Sequence, residues 1–305
     1  MGVSLLASNA TSTVTAYDIN PKAVESFHAE SKKYNKSISD TPPTSIKEAI
    51  LNHRTNVILL CLVNETQCED ICFNTETGLI NIVKPNTCII VSSTVTASWC
   101  KSAYLRFLQK NIHLIDVPMS GGPIRAKTGE LTMMASSIPN TTNKIMPLLQ
   151  AMGKENEIHL IEGGVGMGST AKMVHQLLAG VHIVAAAEAL SLASKAGLDV
   201  EQMYNIVNGA AGSSWMFQDR GSRMVEDTDV CKSALDIFVK DLDIVHKEAK
   251  ALKSPIPLAS GALQQFISGQ CLGLGKEDDS KVIQVYQVIN GTSVNKKSSE
   301  DCDDK

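Results

Sequence analysis

Short apolar runs that alternate with helical patterns set the fold of the first half of this chain. The runs occupy residues 56–63, 87–92, 112–117 and 131–135, with a further one at 158–161. Between them, residues 65–73, 96–109 and 141–152 carry helical periodicity. Strands that are apolar throughout, separated by helices of about ten residues, require a parallel sheet covered on both faces, because each crossover lays a helix on the sheet. After residue 162 the strand signals stop. Residues 169–197, 200–208, 233–252, 258–268 and 277–289 all read as helices. The expected architecture is therefore α/β, with a Rossmann-type parallel sheet in residues 1–162, an all-α domain in 163–290, a long helix joining them, and a polar, disordered tail in 291–305. A length of 305 residues makes two domains the default.

Ahead of the first apolar run, residues 13–17 alternate like a strand and end in Asp18-Ile-Asn-Pro21, where Pro21 opens a helix over 22–30. An acid at the end of a strand is where a dinucleotide fold bonds the ribose hydroxyls, and it favours NAD over the 2′-phosphorylated form. The plainer reading of Asp18 is a charge at a helix start. The strand and Gly-x-Gly-x-x-Gly loop that should precede such an acid are expected to be missing, with Met1-Gly2 standing in their place.

The long helical segment follows Gly163-Gly-Val-Gly-Met-Gly168. At about 100° per residue, Val174, Leu177, Leu178, Val181, Val184 and Ala185 share one broad apolar face, while Lys172, Gln176 and Ala179 lie opposite. Lys172 and Gln176, four apart, face the same way one turn from each other. An ammonium and an amide on a narrow polar strip form a candidate reaction centre, whereas a lysine that snorkels from a core helix is the plainer alternative. The glycine run reads as a turn where backbone passes close to a ligand or another body.

Ser120-Gly121-Gly122 follows a strand at the carboxyl edge, where open α/β sheets hold ligands, and amides exposed by two glycines can cradle a carboxylate. A plain turn before Pro123 is the alternative. Ser93-Thr94 has the same edge position. Lys240 lies off the apolar stripe of its helix and reads as solvated surface.

A net charge of -4 gives no reason to expect nucleic acid as a partner. Eight scattered cysteines without a C-x-x-C pair read as reduced thiols, and Cys68 with Cys72 lacks a second ligand pair, so no metal site is expected. The start has no basic n-region, and the most apolar stretch is interrupted by His182 and Glu188. These features read as a cytoplasmic protein with no membrane partner.

Taken in order, Asp18-x-Asn-Pro21, Ser93-Thr94, Asp116-Val-Pro-Met-Ser-Gly-Gly122, Gly129-x-Leu-Thr-x-Met134, Gly164-x-Gly-x-Gly168 with Lys172, and Lys240-Asp-Leu242 resemble the 3-hydroxyisobutyrate (β-hydroxyacid) dehydrogenase family over most of residues 1–290. The resemblance implies Lys172 as catalytic acid/base, Ser120, Gly121 and Gly122 as the substrate carboxylate site, Thr94 and Lys240 at the cofactor, and NAD as that cofactor. It places Gly2 and Asp18 on the cofactor side as well. Most members carry asparagine four residues after the lysine, whereas this chain has His175-Gln176. That stretch, with Ala211-Gly-Ser-Ser-Trp-Met-Phe217 and Gly275-Lys-Glu-Asp-Asp-Ser280, is similar to the L-threonate dehydrogenase branch, which implies a small polyhydroxylated acid met by His175 and Gln176. A homodimer or homotetramer is implied too, since a second subunit would cover the apolar circumference of the long helix. Three alternatives stay open at this point: 3-hydroxyisobutyrate oxidation, glyoxylate or succinic semialdehyde reduction, and a scaffold protein without turnover.

Overall fold

The computed structural model describes residues 1–11, 13–34, 43–51, 55–138 and 141–294. The chain divides into two compact units, Met1–Lys172 and Met173–Lys305.

The first unit runs α1 (Gly2–Ala7), α2 (Pro21–Ser31), α3 (Ile46–Leu51), β1 (Val57–Leu60), α4 (Glu65–Phe73), α5 (Leu79–Ile82), β2 (Cys88–Val91), α6 (Ala97–Leu108), β3 (His113–Asp116), β4 (Met119–Ser120), α7 (Gly122–Thr128), β5 (Leu131–Ala135), α8 (Thr141–Met152) and β6 (Gly153–Leu160). Strands β1, β2 and β3 form a parallel sheet in that order, with Leu60 beside Val91 and Val91 beside Asp116. Their side chains alternate between two cores. Ile89, Val91 and Leu114 pack with Phe107 and Cys68 on one face. Cys88, Ile90 and Ile115 pack with Ile145 and Leu149 on the other. Both faces are covered, which is why apolar residues on both sides of these strands are buried.

A second small sheet pairs β4 antiparallel to β5 and β5 parallel to β6, and the bridge between Asp116 and Ser136 links it to the end of β3. Side-chain caps set where several helices start. Asn64 accepts from the Gln67 amide at the head of α4, and Thr96 from the Trp99 amide at the head of α6. Among the described residues, 13–17, expected as a strand, belong to neither sheet, and only Thr13 forms a β-bridge. Alternation alone does not make a strand; a neighbouring backbone has to pair along it.

The second unit begins inside α9 (Met167–Lys195) and continues with α10 (Val200–Asn208), α11 (Trp215–Glu226), α12 (Leu235–Ala251), α13 (Pro257–Cys271), a 3₁₀ turn (Asp279–Val282) and α14 (Ile283–Asn290). Its core gathers Ile183, Leu190, Phe217, Leu242 and Phe266. Periodicity did not announce α11, because its buried side is partly ionic. Arg223, 4% exposed, holds both oxygens of Asp278 at 2.7 and 2.6 Å and also pairs with Asp219. Arg220 meets Asp279 at 3.0 and 2.9 Å. The first residues beyond α14 are packed rather than loose. Ser293 accepts at its carbonyl from Ser194 Oγ at 2.7 Å, and Val294 is buried in the core. The rest of the expected tail, 295–305, lies outside the described residues.

Removing one partner of a buried ion pair strands the other charge away from water. Arg223→Met is therefore expected to lower stability by about 3–5 kcal/mol, read by urea unfolding. Lys33→Met, which breaks the surface pair with Glu30, is expected to cost far less. Equal losses would show that the Arg223 cluster is no more than surface charge.

Candidate active site

The carboxyl ends of β1, β2 and β3 converge on a set of loops tied to one another by hydrogen bonds. Ser93 Oγ accepts from the Leu62 amide at 2.7 Å, which joins the loop after β2 to the loop after β1. The Thr96 amide donates to Glu65 Oε2 at 2.9 Å, and Thr96 Oγ1 donates to the same oxygen. Thr94 lies between these ties and is half-buried. After β3 the chain turns through Ser120, Gly121 and Gly122 into α7. Gly121 has φ +133° and Gly122 φ +68°, values that side chains other than glycine's rarely adopt. A Cβ on Gly121 would also lie 3.0 Å from Arg125 Cβ. The turn is thus built on glycine, as the sequence indicated, and Ser120 is set by its β4 pairing with Thr132.

Asp116, the last residue of β3, has 0% exposure and was not assigned a role by sequence reasoning. Its carboxylate caps the start of α9. Oδ2 accepts from the Ser169 amide at 2.7 Å, and Oδ1 from Ser169 Oγ at 2.7 Å. Ser136 donates to Oδ2 at 3.2 Å and accepts from the Gly168 amide at 2.8 Å. A negative charge at the first turn of a helix satisfies amides that the helix itself cannot. Gly168 makes the approach possible, because a Cβ there would stand 2.3 Å from the Met134 carbonyl and 3.0 Å from that of Asp116. The glycine run is expected from sequence to pass close to a ligand or the other domain; the close passage at Gly168 is instead to the ends of β5 and β3 in the same unit.

Lys172 lies one turn beyond this cap and is 6% exposed; Gln176 is also 6% exposed. The apolar face of α9 is only partly covered: Val184 is buried and Leu177 and Val181 pack against the helical core. Val174 and Leu178 are 52% and 49% exposed, while the polar strip with Ala179 is buried. The strip can be buried because its groups have partners. Gln176 Nε2 donates to Asp241 Oδ2, and Gln176 Oε1 lies 2.8 Å from His175 Nδ1. Lys240, read from the sequence as solvated, is 23% exposed at its side chain and pairs with Asp241 Oδ1 at 2.7 Å. His175, Gln176 and Lys240 are thus brought into one network by Asp241, a residue that sequence reasoning missed. Its only signal was a carboxylate inside the Lys240-Asp-Leu242 motif.

The two residues placed at the cofactor near the N-terminus differ in what they offer. Asp18 is exposed; its Oδ1 accepts from the Asn20 amide at 2.8 Å, and Asn20 in turn caps α2. A carboxylate accepts through two oxygens, and the turn at Asn20 uses Oδ1. Gly2 serves packing, since a Cβ there would lie 2.6 Å from the Phe27 ring.

Residues 1–162 match the family model described as the NAD binding domain of 6-phosphogluconate dehydrogenase, and residues 166–286 the one described as NAD-binding of NADP-dependent 3-hydroxyisobutyrate dehydrogenase. L-threonate dehydrogenase of Escherichia coli (strain K12) is 41% identical over 79% of this chain and 79% of its own length. The enzyme of the same name from Pectobacterium atrosepticum is 38% identical over 95% of this chain and 92% of its own length. The crystal structure of a 3-hydroxyisobutyrate dehydrogenase from Salmonella typhimurium superposes with a TM-score of 0.81 at 37% identity, covering 93% of this chain and 94% of that one.

Burial pushes the Asp116 carboxyl above the usual carboxylate range, against the pull of its bonds from Ser169 and Ser136. A folded-state pKa above the unfolded one adds stability below the unfolded pKa, and that stability is lost as pH rises through the folded pKa. Asp116→Asn removes this dependence. The unfolding free energy of the variant minus that of the wild type is expected to grow as pH rises above about 4, measured by urea titration. A difference that stays flat or falls would mean that the carboxyl is not raised.

Proposed function

The chain belongs to the 3-hydroxyisobutyrate dehydrogenase family, in its L-threonate dehydrogenase branch, and from that premise we propose that it oxidises L-threonate to 2-oxo-tetronate with NAD. It is a nicotinamide-dependent hydroxyacid dehydrogenase acting on a CH–OH group. The observation that carries the finer reading is a buried amine, Lys172, one turn past a carboxylate-capped helix start and one turn before the buried Gln176 amide.

When bound, NAD supplies the acceptor for the hydride that leaves the carbinol carbon. The share of this chain is binding, orientation and the proton. Lys172 in its uncharged form takes the hydroxyl proton as the carbonyl forms, the role of a positioned general base. The amides of the Ser120-Gly121-Gly122 turn and the Ser120 hydroxyl hold the substrate carboxylate. Gln176 and His175 meet the remaining hydroxyls. When the cofactor is bound, Asp18 would hold the adenosine ribose and Thr94 would line its edge of the sheet, and the family motif assigns Lys240 to the nicotinamide end.

The acid at position 18 favours NAD over the phosphorylated form. The glutamine arm, with His175 beside it, favours a polyhydroxylated acid over 3-hydroxyisobutyrate, glyoxylate and succinic semialdehyde. A scaffold without turnover is not favoured, because relatives named as dehydrogenases match most of the chain. The exposed Val174, Leu178 and Leu192 on α9 support a homo-oligomer. α9 is, among the described residues, the helix long and apolar enough to cross a membrane. Its buried lysine and amide support a core helix in a cytoplasmic enzyme instead.

A substrate panel followed by NADH absorbance tests the reading, with L-threonate expected to give the highest kcat/KM. Lys172→Ala is expected to lower kcat by about 10²–10⁴-fold, while thermal melting and NADH affinity stay near wild type. Near-normal turnover in that variant would remove Lys172 as the base.

A further inference from the structure

The Asp241 side chain is 2% exposed, and its two oxygens meet different partners. Oδ1 lies 2.7 Å from the Lys240 ammonium, its neighbour on α12, and Oδ2 accepts from the Gln176 amide nitrogen on α9. A carboxylate accepts and does not donate, so the end of Gln176 that faces it is the NH2 group. This turns Gln176 Oε1 away from Asp241 and toward His175 Nδ1, 2.8 Å distant. An amide oxygen also only accepts, so Nδ1 must carry the hydrogen. One buried charge therefore decides which way an amide points and which nitrogen of a ring two hydrogen bonds away is protonated.

The consequence bears on recognition. A hydroxyl is both donor and acceptor, and a site selects among hydroxyls by presenting donors and acceptors at fixed points. An amide free to flip offers either end and discriminates less. A glutamine held nitrogen-first, beside an imidazole of fixed tautomer, presents one defined pattern. The amide nitrogen also carries a second hydrogen besides the one given to Asp241.

We propose that Asp241 is the positioning residue of the hydroxy-acid site: its carboxylate holds the Gln176 amide nitrogen-first, fixes His175 as the Nδ1–H form and gathers Lys240 into the same network, so that the site selects a polyhydroxylated acid. The assignment rests on the reading of His175 and Gln176 as substrate-binding residues. Asp241 acts through them and does not itself touch the substrate.

The test follows the tautomer directly. The seven histidines are labelled with nitrogen-15, and the His175 signals are identified by their loss in His175→Asn. In the wild type, the imidazole shifts are expected to report a protonated Nδ1. In Asp241→Asn, whose amide can donate as well as accept, a substantial Nε2–H population is expected to appear. The KM for L-threonate should rise about 10- to 100-fold, with kcat changed by less than about tenfold. Asp241→Glu, which keeps the carboxylate, should recover part of both. A merely structural role would move the melting temperature without moving the tautomer. If Asp241→Asn does not fold, Gln176→Met removes the same link while leaving the Asp241–Lys240 pair, and it should produce the same change at His175.

An Nε2–H ring in the wild type, or an unchanged ring and KM in variants that fold, would overturn the proposal. If the wild type shows the Nδ1–H ring, loses it in Asp241→Asn and yet oxidises no L-threonate, the orientation by Asp241 stands and the substrate assignment falls.

Discussion

The buried carboxylate at the end of β3 is the constraint on which the candidate site depends. Asp116 holds the first turn of α9 through the backbone and hydroxyl of Ser169, while Ser136 secures the Gly168 amide beside it. Taking a carboxylate out of water is costly unless hydrogen bonds replace the lost hydration. Here the orphan amides of a helix start provide that replacement, so the same contacts stabilise the charge and locate the helix. Lys172 is then one turn from a fixed point. The absence of a side chain at Gly168 is part of the same arrangement, because backbone and carboxylate could not otherwise come so close.

From that fixed start, α9 runs into the second unit with its polar strip inward. Hydrophobicity alone would not bury that strip while leaving Val174 and Leu178 half exposed, although Val184 on the apolar face does reach the core. Specific partners outweigh the pattern. The Gln176 amide donates to Asp241 and the Lys240 ammonium pairs with it by charge, and polar groups with such partners are buried at lower cost than groups without them.

Much of the fold was legible in the sequence because its signals are local. Residues 65–73, 131–135, 141–152 and 200–208 could be read directly, since caps, apolar runs and turn residues bound them on both sides. The reading failed where a partner far along the chain decides the outcome. Among the described residues, 13–17 alternate but join neither sheet beyond a bridge at Thr13, and α11 hides its helical face behind arginine–aspartate pairs with residues near 278. The site divides in the same way. The glycine turn at 120–122 and the Lys172–Gln176 spacing are local and were visible. Asp116 and Asp241 act on residues 53 and 65 positions away, and no window of sequence contains both ends of those bonds.

The central claim is that a hydride leaves C2 of a hydroxy acid while this chain removes the proton. L-threonate carrying deuterium at C2, incubated with the full chain and NAD, tests it most directly. The account predicts one deuterium transferred to the reduced cofactor, with a slower rate than for the unlabelled acid. Reduced cofactor formed without deuterium, or no reduction of NAD by L-threonate, would contradict it.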